Sequence, residues 1–166
     1  MAVYRAALLG LFTFLATMAA HAEFRLEDYF RGTTYADGRF SAINGVRRDF
    51  KVVLTGRWNG RTLTLIEDFT YADGEKDRKT WRFAKTGEGR YTGRREDVVG
   101  ETIVRISRNT ARFTYSVYLD GENRENRVRF FDRMTLRPDG TVLNNALITK
   151  FGLPVGRTRV EFRRER

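Results

Sequence analysis

The sequence contains no cysteine and one histidine, and that histidine, His21, lies within the first 22 residues. From Glu23 onward the chain therefore has neither thiol nor imidazole. This excludes Ser-His-Asp and Cys-His nucleophile systems, thiolate chemistry and any zinc site built on sulfur or imidazole. Carboxylates, tyrosines, lysines, arginines and hydroxyls are what remain for chemistry. With no disulfide to brace it, the fold must rest on its core. Long apolar runs are also scarce. One stretch, Ala6 to Ala19, follows the positive Arg5 and precedes the small-x-small triplet Ala20-His21-Ala22. That is the layout of a secretory signal peptide, and the run is short for a spanning helix. Cleavage is expected after Ala22, and an uncleaved N-terminal anchor is the alternative. The missing cysteine also removes any lipobox, so the expected product is an exported, soluble, periplasmic protein. Residues 1–22 are read as the signal peptide and residues 23–166 as a single domain, long enough to bury a core.

Acidic residues are outnumbered. The formal charge is +10, and 26 of the 31 basic residues are arginine. Guanidinium groups favour bidentate contact with phosphate or carboxylate, so a basic surface draws anionic partners. For an exported chain these are lipid headgroups or acidic polymers rather than nucleic acid. A solvated basic surface with no partner stays open beside that reading.

Alternation with a period of two is abundant. It is clearest over 63–83, LTLIEDFTYADGEKDRKTWRF, where two alternating runs flank a turn at Asp73-Gly74. Phe24–Gly32 reads as a short helix or cap, with Phe24, Leu26, Tyr29 and Phe30 on one face. The spacing predicts strands over Thr33–Ala42, Arg48–Trp58, Leu63–Tyr71, Lys79–Phe83, Arg90–Arg95, Glu101–Ser107, Ala111–Leu119, Arg127–Arg137, Thr141–Phe151 and Arg157–Arg163. Asp37-Gly38 offers a place for a bulge in the first of them. Asn59-Gly60 is the strongest hairpin signal, because both residues tolerate positive φ. Asp120-Gly121, Pro138-Asp139-Gly140 and Gly152-Leu153-Pro154 supply further turns.

About ten antiparallel strands joined by short loops predict an all-β chain, a single up-and-down β-barrel with a short N-terminal helix. An outer-membrane barrel needs an apolar band facing lipid on every strand. Here Arg127, Arg129, Arg133 and Arg137 share one strand face, and Arg157, Arg159 and Arg163 share another. The apolar parity should point inward. It would carry Leu63, Leu65, Phe69, Tyr71, Trp81, Phe83, Tyr91, Phe113, Tyr115, Val117, Val128, Phe130, Met134, Val142 and Ile148. Glu67, Asp132 and Asn144 interrupt it. Buried carboxylates need partners, here an inward arginine, Lys150 or a tyrosine hydroxyl. Either these are satisfied core groups, or they are the few polar groups of a ligand cavity; a hydrolytic carboxylate pair is a third reading.

Several motifs carry a resemblance: LEDYFRG at Leu26–Gly32, LTLIEDFTYADGE at Leu63–Glu75, RKTWRF at Arg78–Phe83, DVVGE at Asp97–Glu101, MTLRPDGTVLN at Met134–Asn144 and KFGLPVG at Lys150–Gly156. Together they resemble the bacterial envelope proteins of the domain-of-unknown-function 3833 family, over nearly all of residues 23–166. The resemblance implies a lipocalin-like barrel and, through the family's association with fatty-acid modification and stress response, lipid handling. Members are often lipoproteins, and this chain departs from them in lacking the lipobox cysteine. No catalytic residue comes with the resemblance.

The expected function is thus binding of a lipid or other apolar anionic small molecule in the barrel. Glu67, Phe69, Trp81, Tyr91, Tyr115, Phe130, Asp132 and Asn144 are the candidate ligand contacts. No cofactor, metal or nucleic acid is indicated. Two alternatives stand beside this. In one, the Arg-rich outer face, with Arg127, Arg129, Arg133, Arg157 and Arg159, docks on an acidic partner or membrane surface. In the other, a carboxylate- or tyrosine-based enzyme acts on a lipid.

Overall fold

A computed structural model describes residues 23–119 and 126–164. The expected signal peptide and the turn at Asp120-Gly121 lie outside the described residues. A short helix, α1 (Leu26–Phe30), precedes ten strands: β1 (Gly32–Ala42), β2 (Arg47–Trp58), β3 (Thr62–Tyr71), β4 (Lys76–Gly87), β5 (Arg90–Arg94), β6 (Thr102–Ser107), β7 (Thr110–Tyr118), β8 (Arg127–Leu136), β9 (Val142–Lys150) and β10 (Leu153–Arg164). Each strand pairs antiparallel with its neighbours in sequence, and β1 pairs with β10 from Thr34↔Arg164 to Ala42↔Gly156. The sheet is therefore a closed up-and-down barrel without an unpaired edge.

The turns form as their residues dictate. Asn59 Oδ1 accepts hydrogen bonds from the backbone N–H of Arg61 (3.0 Å) and Thr62 (2.7 Å), with Gly60 at φ 92°. Asp73 Oδ1 accepts from Glu75 N–H (3.1 Å), with Gly74 at φ 87°. Two boundaries and one bulge differ from the alternation. β4 runs well beyond Lys79–Phe83, because its pairing with β3 extends to Thr70↔Lys76 through charged positions that hide the period. β10 begins at Leu153, so the turn before it shrinks to Phe151-Gly152, and Pro154 sits where the register with β9 shifts. Asp37-Gly38 forms no bulge: β1 stays in register there with both β2 and β10. Gly38 instead leaves room for a ring, since a Cβ would lie 2.2 Å from Phe50 Cε2.

One end of the barrel is floored by α1. Phe24, Leu26 and Phe30 are at most 2% exposed, and each contributes about 1.5–3 kcal/mol by leaving water. The helix is one turn long and has no side-chain N-cap, so tertiary contacts hold it. Phe24 N–H donates to Arg108 C=O (3.0 Å), and the Tyr29 hydroxyl donates to Phe162 C=O (2.9 Å). The buried carboxylate of Glu27 accepts from Lys85 Nζ (2.7 Å) and from the Tyr91 hydroxyl. Burial alone would raise the Glu27 pKa, but these bonds outweigh it and hold it below the ordinary value.

The floor also requires a glycine on β2. A Cβ at Gly56 would sit 1.7 Å from the carbonyl oxygen of Phe30, so any side chain must push the helix out. Gly56→Ala is expected to lower unfolding stability by at least about 1–3 kcal/mol, the scale of overpacking. Gly87→Ala, where a Cβ meets nothing within 4 Å, should stay within about 0.5 kcal/mol of the parent. Urea denaturation of the two variants checks both, and equal midpoints would refute the close-approach argument.

Candidate functional site

Above the helical floor the barrel is not filled. An interior cavity of about 530 Å³ is lined by side chains from the inward parity of the wall, within the size range of small-molecule pockets. Its aromatic side comes from β4, β7 and β8. Trp81 stacks on Phe83 (5.0 Å) and meets Tyr115 edge-on (5.2 Å, 83°), while Tyr115 stacks on Phe130 (5.2 Å, 1°). A second aromatic group, Phe50, Phe69 and Tyr71, stands on β2 and β3. The cavity extends to the end opposite α1, where Val46 and Leu119 join its lining and are 53% and 61% exposed.

A polar cluster sits among these rings. The β5 and β6 strands are short, and residues 95–101 cross the gap they leave. Val98 bridges to Val117, and the Glu96 carboxylate accepts the Thr80 N–H at 3.0 Å, where β4 would otherwise lack a neighbour. This crossing turns Arg95 inward. Its guanidinium donates to both oxygens of Asp97 (2.6 and 3.1 Å) and stands 3.9 Å from Glu67 Oε2. It also lies over the rings of Trp81 (4.8 Å) and Tyr115 (5.5 Å), a cation–π contact with little water present. Lys79 Nζ is 3.2 Å from Asp77 and 3.5 Å from Asp97. Across the cavity, Asn144 Nδ2 donates to Asp132 Oδ1 at 2.5 Å.

Burial dominates the electrostatics of this cluster. It pushes the Glu67 carboxyl up to about 7, with Arg95 opposing and Asp97, Glu96 and Asp132 adding to the rise. Burial likewise pushes Asp132 up to about 6, against the Asn144 hydrogen bond, Arg95 and Tyr115. The Tyr115 hydroxyl is raised well above its ordinary range by burial and by Asp132. Burial works against the charge of Arg95, but Tyr115, Glu67 and Asp97 outweigh it, and the guanidinium stays protonated.

Seven of the eight candidate contacts meet in this cavity: Glu67, Phe69, Trp81, Tyr115, Phe130, Asp132 and Asn144. Tyr91 does not. It is 1% exposed and hydrogen-bonded to Glu27 beneath the floor, because β5 crosses the barrel at the α1 end. Lys150 is not a carboxylate partner either; its Nζ donates to Asn126 Oδ1 (2.8 Å). The inward arginine is Arg95, which sequence reasoning left unnamed. Its signal was present, since Tyr91, Gly93 and Arg95 share a parity. Asp97 was missed because it lies beyond the apolar alternation, and Lys79 because its charge reads as external although it shares the parity of Trp81 and Phe83.

The arginine candidates of the outer face are exposed. Arg133, Arg157 and Arg159 line a shallow outer groove of about 1250 Å³ with Phe131 and Leu147. Arg129 lies 5.3 Å over the Phe131 ring, and Arg127 donates to Ser116 Oγ (3.3 Å). Among the described residues, no group of carboxylates is arranged to hold a metal ion.

The chain belongs to the family described as protein of unknown function (DUF3833), whose model matches residues 13–164. No functionally curated protein matches it. Solved structures share its fold, two of them as follows. The S-type phycobiliprotein lyase CPES from Guillardia theta is 10% identical, with 86% of this chain and 94% of that chain covered at a TM-score of 0.60. Rv2717c from M. tuberculosis is 13% identical, with 85% and 97% covered, also at 0.60. At these identities the likeness establishes a lipocalin-like barrel and no activity.

The raised carboxyls give the stability a defined pH dependence. A folded-state pKa above the unfolded value means the folded protein binds the proton more tightly. The gain is complete below the unfolded pKa and is lost as pH rises through the folded one. Stability should therefore rise by roughly 1–3 kcal/mol as pH falls from about 8 to about 5. Glu67→Gln should flatten the upper part of that slope and Asp132→Asn the lower. Urea midpoints across this range measure it, and a parent profile flat over the window would contradict burial of both groups.

Proposed function

We propose that this protein carries a small, largely apolar molecule inside its barrel, with a lipid as the best-fitting class, and that it does so in the cell envelope after export. The observation that supports this reading is the cavity itself. It is walled by a closed sheet, floored by a helix and lined by aromatic and aliphatic side chains, with a few buried polar groups at fixed positions. Pockets for small ligands have this composition. A packed interior would have left only the surface to work with. In this reading Phe69, Trp81, Tyr115 and Phe130 give the ligand's body its contact area, while Glu67, Asp132 and Asn144 set its orientation. Tyr91 belongs to the floor.

A second reading applies to the outer face. The rung Arg133↔Asn145↔Arg159 lies beside the rung Phe131↔Leu147↔Arg157 across β8, β9 and β10. Phe131 and Leu147 are 41% and 46% exposed. Apolar side chains among arginines that have no ion-pair partner among the described residues fit an anionic lipid surface, where each basic residue contributes about 1 kcal/mol. The Arg133→Glu, Arg159→Glu double variant should lose sedimentation with phosphatidylglycerol vesicles. Sedimentation with phosphatidylcholine vesicles should be weak for both proteins, and equal retention on the anionic vesicles would remove this reading.

For the interior, uptake of diphenylhexatriene by delipidated protein should be saturable at one molecule per barrel, read by fluorescence. Val52→Trp places an indole where a 4%-exposed valine lines the cavity and should reduce uptake at least tenfold. Circular dichroism confirms that the variant folds, and Met134→Trp repeats the test from the opposite wall. Absence of uptake by the parent, or full uptake by folded variants, would refute the proposal.

A further inference from the structure

The polar atoms left over inside the cavity differ from those that an anionic ligand needs. Asp132 is 6% and Asn144 8% exposed. The 2.5 Å bond between them uses Asn144 Nδ2 and Asp132 Oδ1. Among the described residues, Asp132 Oδ2 and Asn144 Oδ1 have no well-formed hydrogen bond, although the Tyr115 hydroxyl stands near enough to Asp132 to lower its pKa, and both residues line the cavity. Both orphans are acceptors. A buried polar atom without a partner costs stability, and native folds seldom leave one without a reason. Two such atoms on adjacent side chains that line one cavity mark a place for a donor, which a turn of either side chain would admit, since the atoms themselves are closed to solvent. Phe113 and Met134 flank them as direct neighbours across the β7–β8 and β8–β9 ladders, so the donor's own surroundings are apolar.

The cations lining the cavity are already engaged. Arg95 is held by Asp97 through two bonds and faces Glu67. Lys79 lies between Asp77 and Asp97. Arg48, at the open end, is paired with Asp73 and Glu75. Glu67, Asp77, Asp97 and Asp132 thus outnumber the two inner cations, and a carboxylate or phosphate entering here would meet acceptors. The net charge of +10 therefore does not argue for an anionic ligand inside, because the surplus arginines are outside the wall.

We propose that the barrel selects an apolar molecule bearing a hydrogen-bond donor, a hydroxyl or an amine, whose hydrogen is received by Asp132 Oδ2 and Asn144 Oδ1. This rests on the reading of the cavity as a ligand site and names the chemistry of its ligand. The donor would satisfy both orphans at once, and the aromatic wall of Trp81, Tyr115 and Phe130 would cover the apolar body.

The test is a displacement series on delipidated protein loaded with diphenylhexatriene, a hydrocarbon that neither donates nor accepts. 1-Dodecanol, 1-methoxydodecane and dodecanoate share a chain length and differ in the head atom. The alcohol is expected to displace at about tenfold lower concentration than the ether, the equivalent of one hydrogen bond to a buried acceptor. Dodecanoate should be weaker than the alcohol at pH 8. Asp132→Leu should abolish the alcohol's advantage over the ether, read as the ratio of their displacement midpoints on the variant itself. Should that variant fail to fold, Asn144→Val removes the second acceptor, and the parent series decides without either. If the hydrocarbon itself is not taken up, the cavity reading fails. If it is taken up and alcohol and ether displace it equally, or the preference survives both variants, the donor assignment alone is overturned.

Discussion

Closure of β1 onto β10 is the constraint on which the rest depends. An open ten-strand meander would expose a row of backbone donors and acceptors at each edge and would have no inside. Once Thr34 to Ala42 pair with Gly156 to Arg164, every residue of every strand is assigned to one of two compartments by parity alone. The cavity, its aromatic walls and the outward display of arginine are consequences of that assignment. So is the need for Gly38 and Gly56, where a ring and a carbonyl of the interior press against the wall.

The wall is least regular where the chemistry lies. The short β5 and β6 strands leave β4 and β7 without full-length neighbours, and residues 95–101 complete the gap with one bridge and one carboxylate contact. Asp97, two residues on, lies on the same side of the chain as Arg95 and binds it through two hydrogen bonds, so the guanidinium enters the barrel already neutralised. Breaking such a pair is far more costly than replacing it whole. The pair therefore works as an internal staple between the crossing segment and the Trp81–Tyr115 wall.

Much of this architecture was legible in the chain. Ten strands, their order, the helical floor and most of the inward parity follow from period-two alternation interrupted by Asn-Gly and Asp-Gly turns. The convergence of Glu67, Asp132 and Asn144 with the aromatic residues follows from the same parity. What was not legible depends on distances between strands. Tyr91 has the right parity but the wrong height, because α1 shortens the usable interior from below. Arg95 shares the parity of Tyr91 and Gly93 yet reads as part of a surface run, since Arg94 precedes it and charge is usually external. The bulge expected at Asp37-Gly38 fails for a packing reason, since Gly38 accommodates the Phe50 ring. Composition is also silent on the charge of a ligand inside the barrel, because a net charge carries no information about which side of a wall it occupies.

That last point separates the two surfaces in function. Arginines on the outer face act on the surroundings over about a Debye length, 8 to 10 Å at physiological salt. They can hold the barrel near an anionic surface without touching what is inside it. The interior acts only at contact, through atoms that must be paired one by one. A ligand that satisfied the outer field, a fatty-acid carboxylate for instance, would bring its charge toward Asp132 and Glu67, two carboxyls whose own charged forms burial already disfavours. A neutral donor adds no charge and removes two orphan acceptors. On the readings proposed above, charge outside and hydrogen bonding inside are independent selectors. A protein built this way can approach one class of molecule and carry another.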